Sequence, residues 1–305
     1  YRLPTERDLE AVRKATEELE RRNVVHTGPL SLVPDEPVNP LPHSVNRLPI
    51  YGMVTWGDVF TQRQALALTA LALLIQDTGD KLISEYDAEF ADAVQTCLAL
   101  NFGRVADLAN SLCGWTLDTQ CAKHLFARQA IPIVWNFAEG VPIGDSAGSW
   151  NVVVERFEDI VGSIPSGLMT GQTQQASAIL CPLPDDEAQV LFTDPPYYDM
   201  ICYADLSDFF YVWLRRTLEK RQSKNWISDS TPKAEEIIVE PTPVEDVGIK
   251  DERFYLEGMT GALTEGRRVL RPDGLGVIVF AHKSTKGWET LLQALIDAGW
   301  IVTGS

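Results

Sequence analysis

The sequence predicts an α/β fold, a parallel sheet carrying an added layer of helices. Three observations predict it. Residues 189–303 alternate short apolar runs with helical patterns in the order strand, helix, helix, strand, helix, strand, which is the signature of parallel pairing. Long stretches before residue 130 have apolar residues at helical spacing instead. The chain of 305 residues is 45% hydrophobic and 23% charged, enough apolar material for a large core and too much for a disordered or collagen-like chain.

Taken in order, residues 5–22 open on Thr5 with Glu6 and Asp8 in the first turn, and Leu9, Val12, Ala15 and Leu19 form one apolar stripe of an amphipathic helix. His26 to Pro49 is proline-rich without a period and reads as an extended connector wrapping over another element. Gly57 to Gln76 begins with acid and becomes apolar nearly all round, as in a helix buried on several sides. A second helical region is predicted over Lys81 to Leu112 and another around Ala122 to Gln129. Residues 1–150 are therefore assigned to a mainly helical region that includes the connector.

The pattern changes after Trp150, and residues 151–305 are assigned to the C-terminal part of an α/β domain. Val152 to Val154 reads as a strand, Gly162 to Ser177 as irregular, and Gln189 to Thr193 as a buried strand stopped by two prolines. A helix is predicted from Ala204 to Lys220, with Leu206, Phe209, Phe210, Trp213, Leu214 and Leu218 on a broad apolar face. Residues 221–250 are polar around the island Ile237, Ile238 and Val239, which predicts a long loop or flap. Then come a helix over Asp251 to Leu270, a turn at Arg271 to Gly274, a fully buried strand over Leu275 to Ala281, a helix over Trp288 to Ala298 and a strand over Trp300 to Thr303.

Composition excludes several classes. The longest nearly charge-free apolar stretch, Ala65 to Ile75, is too short to span a bilayer and no signal segment opens the chain, so a cytoplasmic protein is expected. Cys97, Cys113, Cys121, Cys181 and Cys202 are an odd set without a C-x-x-C pair, which encodes neither a disulfide framework nor a zinc ribbon. His26, His43 and His124 have no partners at ligand spacing, and no metal site is expected; His124 beside Cys121 reads as a helix neighbour. The chain opens on Tyr1 rather than Met and stops in what reads as a strand, as a piece of a longer protein would. With a net charge of −17, any nucleic acid contact needs a local basic patch.

The residues that carry chemistry are Asp194, Pro195, Pro196 and Tyr197, directly after a predicted strand and hence at the carboxyl edge of the sheet, where ligands of open α/β sheets bind. Two prolines stiffen the backbone and remove two N–H donors, leaving carbonyl oxygens to accept beside the Asp194 carboxylate. Such a group of acceptors suits an amine donor: it holds an exocyclic NH2 and aims its lone pair, while Tyr197 offers a π-face to the base carrying it. The plain alternative is a stiff strand terminator with Asp194 capping a turn.

The runs TDPPYYDMICYADLSDFFYVWLRR, YGMVTWGDVFTQRQ, VWNFAE and RPDGLGVIVFAHKSTKGWETLLQALIDAGW cover much of the chain. Together they resemble the large adenine-specific DNA methylases that contain a zinc-ribbon segment, and the resemblance extends over nearly the whole sequence. It implies a partial class I (Rossmann-like) methyltransferase sheet and an amino-methyltransferase that uses S-adenosylmethionine and acts on DNA. Asp194, Pro195, Pro196 and Tyr197 would be its catalytic motif, with adenine N6 favoured because the first position is Asp. That family places an F-x-G-x-G cofactor loop and a zinc ribbon upstream of this region, and this sequence contains neither. Gly144, Gly148, Gly162, Gly167 and Gly171 do not link a strand to a helix at the required spacing. The isolated chain is accordingly expected to bind cofactor poorly and to need an upstream segment or a partner chain carrying the loop.

Supporting residues each have two readings. Tyr198 and Asp199 either order the base or its sugar or pack the loop. His282 and Lys283, at the end of the second long strand, share the sheet edge with Asp194 if the strands are parallel; they either touch substrate or serve as hydrogen-bonded turn residues. Arg215, Arg216, Lys220, Arg221 and Lys224 either meet DNA phosphates, compensate a helix dipole, or face acids such as Glu235 and Glu236. At the level of function, the rival to the enzyme is a non-catalytic binding or assembly module whose sheet a partner completes; methylation of RNA or of a protein amide is a third reading.

Overall fold

The computed structural model describes residues 3–40, 46–169, 171–222, 228–244 and 247–304. His43 and Lys224, both named above, lie outside them, as does the Arg221 side chain. The fold is α/β, with seven α-helices and three two-stranded sheets among the described residues, one of them parallel. The chain forms two compact units, Tyr1–Ser166 with Asp205–Thr231 and Gly167–Ala204 with Pro232–Ser305. The sequence pattern divides the chain once, at residue 150; the units instead interleave. No helix among the described residues is long and apolar enough to cross a membrane.

The first unit is built on α1 (Glu6–Val25), α2 (Gln62–Glu85), α3 (Ala88–Ala106), α4 (Trp150–Gly162) and most of α5 (Tyr203–Gln222), with a short antiparallel ladder of β1 (Trp115–Thr116) and β2 (Cys121–Ala122). Helix α1 starts where Asp8 accepts from the Thr5 backbone N–H at 2.7 Å, and it buries Ala15 and Leu19 against α2. The helix expected from Gly57 begins five residues later. Asp58 closes a separate 3-10 turn at Trp56–Val59 by accepting from Thr55 N–H at 2.7 Å, and Thr61 and Gln64 then cap α2 reciprocally. Likewise the region expected over Lys81 to Leu112 is broken at Tyr86, because the Asp87 carboxylate takes the Phe90 N–H at 2.9 Å and starts α3 afresh.

Two further expectations fail here for tertiary reasons. Ala122 to Gln129 is not helical: Asp107 takes the Leu125 N–H on its carbonyl at 2.9 Å and the Phe126 N–H on its carboxylate at 3.0 Å, removing donors a helix would need. His124 is held there by the Asp107 carboxylate at 3.0 Å on Nδ1 and by Arg104 at 2.8 Å on Nε2. Val152 to Val154 lies inside α4, where Val153 is buried and the helix packs on α3, so packing overrides the β-preference of three valines.

The core of this unit is aromatic. Trp213 on α5 meets Phe60 at 5.4 Å and Phe102 at 5.2 Å between ring centroids, and Phe209 contacts Trp56, Phe60 and Phe126. Buried Cys113 sits in the same unit with its thiol pushed up to about 11, chiefly by burial. The connector lies on α5 as the sequence suggests: Arg216 donates to Ser31 O and Glu36 Oε1, both at 2.8 Å.

The second unit contains β3 (Ala188–Thr193), β4 (Glu240–Val244), β5 (Gly248–Lys250), α6 (Glu252–Val269), β6 (Leu270–Ile278) and α7 (Thr285–Asp297). Strands β3 and β6 are parallel, with Val190 opposite Leu275 and Thr193 opposite Ile278. The expected turn Arg271 to Gly274 falls inside β6: the register jumps from Ala188–Leu270 to Val190–Leu275, so these four residues bulge from the ladder. One sheet face packs on a core of Tyr198, Tyr255, Met259, Leu263, Leu291, Ala294, Leu295 and Ala298. Gly276 faces inward under Trp300, whose ring would lie 2.2 Å from any Cβ there.

The structure corrects three expectations in this unit. The strands are not fully buried: Val190 is 59%, Phe192 69% and Leu275 59% exposed, so among the described residues of this unit their second face is left uncovered. Residues 221–250 are more than a loop, since β4 and β5 pair as a hairpin and Ile238 is buried. Trp300 to Thr303 forms no ladder. Trp300 turns inward to donate Nε1–H to Leu263 O at 2.9 Å, and Ile301 and Val302 remain exposed without a strand beside them.

Candidate active site

The ladder between β3 and β6 ends where Val279 N–H donates to Thr193 O at 2.8 Å, so Asp194 and Phe280 leave the sheet together at its carboxyl edge. Parallel pairing therefore brings the Asp194 motif and the segment through His282 and Lys283 to one edge. Asp194 is exposed, and its carboxylate, beside the Tyr197 hydroxyl, holds the Tyr197 phenol above its ordinary pKa, with burial adding a second contribution. The Tyr203 phenol is also raised, first by burial and then by the Asp194 charge. Sequence reasoning missed Tyr203; only its place at the start of α5, close behind the motif, could have signalled it.

The two proline carbonyls differ. Pro196 O accepts from the Tyr255 hydroxyl at 2.9 Å and from Tyr198 N–H at 3.1 Å, so its lone pairs are engaged. No donor among the described residues reaches Pro195 O. Pro195 is itself buried, so of the expected acceptors the one exposed to a ligand is the Asp194 carboxylate. Tyr255 projects from α6, fully buried, with its phenol raised by burial. Replacing Tyr255 with Phe is expected to cost about 0.5–1.5 kcal/mol of stability, read as a shift of the urea unfolding midpoint, since one net hydrogen bond is lost without a change of shape.

Tyr198 resolves to the packing role. It is 4% exposed, its ring stands edge-on to Tyr255 at 5.1 Å, and its backbone adopts φ 55, a left-handed conformation uncommon outside glycine. That turn is pinned because Tyr198 O accepts from Val239 N–H at 2.9 Å, so the apolar island of the predicted loop docks directly behind the motif. Its phenol is raised, mainly by burial.

His282 resolves to a turn residue. Its side chain is 1% exposed, Nε2 pairs with Asp199 Oδ1 at 2.9 Å, and Nδ1 accepts from Ser284 N–H at 3.2 Å. Asp199 is thereby committed to joining the turn after the motif to the turn after β6. Lys283 is exposed at that turn and pairs with no carboxylate among the described residues.

Arg215 and Arg216 are corrected. They are 9% and 5% exposed, and their guanidinium groups are engaged by Glu36, with Asp229 at 3.0 Å from Arg215. Their partners are acids, as one reading held, but these are Glu36, Asp35 and Asp229 rather than Glu235 and Glu236. Lys220 pairs at the surface with Asp80 at 2.9 Å.

Two surface cavities, of about 520 Å³ along α1 and about 480 Å³ near Arg22, His26 and Lys220, include no residue of the motif. The described residues do not fit S-adenosylmethionine. Gly162 ends α4, Gly144, Gly148, Gly167 and Gly171 lie in irregular segments, and none joins a parallel strand to a helix. Among the described residues no group of three or more His, Cys, Asp or Glu side chains is placed to hold a metal ion. Compared with family models, curated proteins and solved structures, the chain matches none.

Proposed function

We propose that this chain carries the amine-holding corner of a DNA amino-methyltransferase, with adenine N6 as the acceptor and a Rossmann-like sheet as the scaffold that the full-length protein completes. The observation that carries the reading is an exposed Asp194 carboxylate at the carboxyl end of a parallel strand, on backbone stiffened by the two prolines that follow it. An exocyclic NH2 that donates to the Asp194 carboxylate is held with its nitrogen lone pair directed toward an electrophile. Tyr197, oriented through Asp194 and by an edge contact with Phe280 at 5.5 Å, offers its ring to the base. The amine attacks on its own, so no cysteine nucleophile is required. The methyl donor, S-adenosylmethionine by resemblance, is assigned to residues outside this site, on a segment or partner chain bearing a glycine loop. Incorporation of labelled methyl into DNA by the full-length protein, compared with Asp194→Ala, tests the reading; equal N6-methyladenine from both ends it.

A second reading is favoured by the sheet itself. Parallel sheets are ordinarily covered on both faces, yet Val190, Phe192, Leu275, Val277 and Val279 form an exposed apolar face, and among the described residues the two strands pair only with each other. A module that docks a partner there, with the motif serving only as a strand terminator, accounts for that face. DNA binding with no methyl transfer, in protein supplied with the completing segment, would favour it.

A further inference from the structure

At the carboxyl edge of the sheet the aromatic surface does not stop at Tyr197. Phe280 meets Tyr197 at 5.5 Å and Trp288 at 5.1 Å between centroids, both edge-on, with interplanar angles of 71° and 88°. Such contacts fix ring planes without covering every face. Trp288 is 42% exposed, although its indole is tied down by donating Nε1–H to His282 O at 3.0 Å. Gly287 permits this: a Cβ there would lie 2.5 Å from His282 Nδ1, so only glycine lets the first turn of α7 close on His282 and bring the indole beside Phe280. An oriented, half-exposed indole has little to gain from water and a flat face to offer.

The charge around it points to the ligand. Residues 281–289 contain His282, Lys283 and Lys286 against one acid, Glu289, in a chain of net charge −17. Asp199 faces His282, and Glu252 faces Lys286 at 2.8 Å, whereas Lys283 is exposed and unpaired among the described residues. Alternating flat rings and an available cation along one edge is the pattern that holds a nucleic acid strand: bases stack, and a phosphate meets the ammonium.

We propose that Trp288, backed by Phe280, is the stacking place for the base next to the one held at Asp194, in single-stranded DNA, with Lys283 meeting the intervening phosphate. The proposal deepens the methyltransferase reading and rests on it for the choice of DNA. Its test is a fluorescence-anisotropy titration of a labelled single-stranded oligodeoxynucleotide with the full chain, at low salt. Trp288→Ala is expected to weaken binding about 5- to 100-fold, the range that loss of one stacked base corresponds to. Trp288→Phe, which keeps a flat ring, should retain most of the affinity, and Lys283→Ala should weaken binding and flatten its salt dependence. Circular dichroism of each variant checks that α7 persists. The proposal is overturned if the wild type does not bind the strand, or if Trp288→Ala, folded, binds as the wild type does. Failure of the methyltransferase reading looks different: strand binding that depends on Trp288, with no methyl transfer from the full-length protein.

Discussion

Asp194→Ala is expected to lower methyl incorporation into adenine by about 100-fold or more while leaving the unfolding midpoint almost unchanged. On the proposed methyltransferase reading the size comes from removing the preorganised acceptor at the amine, an effect of the order seen when a single oxyanion-hole donor is deleted. The small stability change comes from exposure: the Asp194 carboxylate is at the surface. Asp194→Asn keeps an acceptor oxygen and should fall between the two. Because the loss concerns geometry at the amine and not base stacking, it should appear in kcat more than in KM. A variant that loses activity together with its fold would instead mark Asp194 as a structural cap.

Arg216→Ala should produce the opposite pattern, a large loss of stability with no specific change in DNA affinity. Arg216 and Glu36 are 5% and 7% exposed, and the guanidinium also donates to Ser31 O, Ser31 Oγ and Val212 O. Truncating it leaves the Glu36 carboxylate, which already has one oxygen without a partner, buried with only Arg215 at 3.3 Å. Breaking a buried pair in this way costs about 3–5 kcal/mol. Urea unfolding measures it directly, and Arg216→Met combined with Glu36→Gln should recover part of the loss, since no uncompensated charge remains. A salt-sensitive drop in DNA binding with intact stability would return Arg216 to the phosphate-contacting role that its place in a basic run suggested.

Much of the fold is legible from local rules. The helices α1, α5, α6 and α7 announce themselves by apolar spacing and by caps such as Thr5, Asp251 and Ser284. The helix start at Gln62 is hidden because Thr55 and Asp58 imitate a helix cap just upstream, and the two capping pairs differ only in the length of helix that each one opens. The hairpin of β4 and β5 is hidden because Pro241 and Pro243 depress strand propensity where an edge strand tolerates them. The valines of α4 mislead because three β-branched residues in a row say strand until a neighbouring helix buries one of them.

Residue type and order alone establish the Asp-Pro-Pro-Tyr corner, the apolar strands before Asp194 and His282, and hence that both ends meet at one sheet edge once the strands run parallel. Local backbone chemistry expresses these properties without help from distant contacts. It took the folded chain to show that Pro196 is occupied by Tyr255, that Tyr198 and His282 face inward, and that Arg215 and Arg216 neutralise Glu36. One cause underlies all of these: whether a carbonyl, a ring or a charge is available depends on what lies opposite it in space, and those partners come from 41 to 180 residues away along the chain.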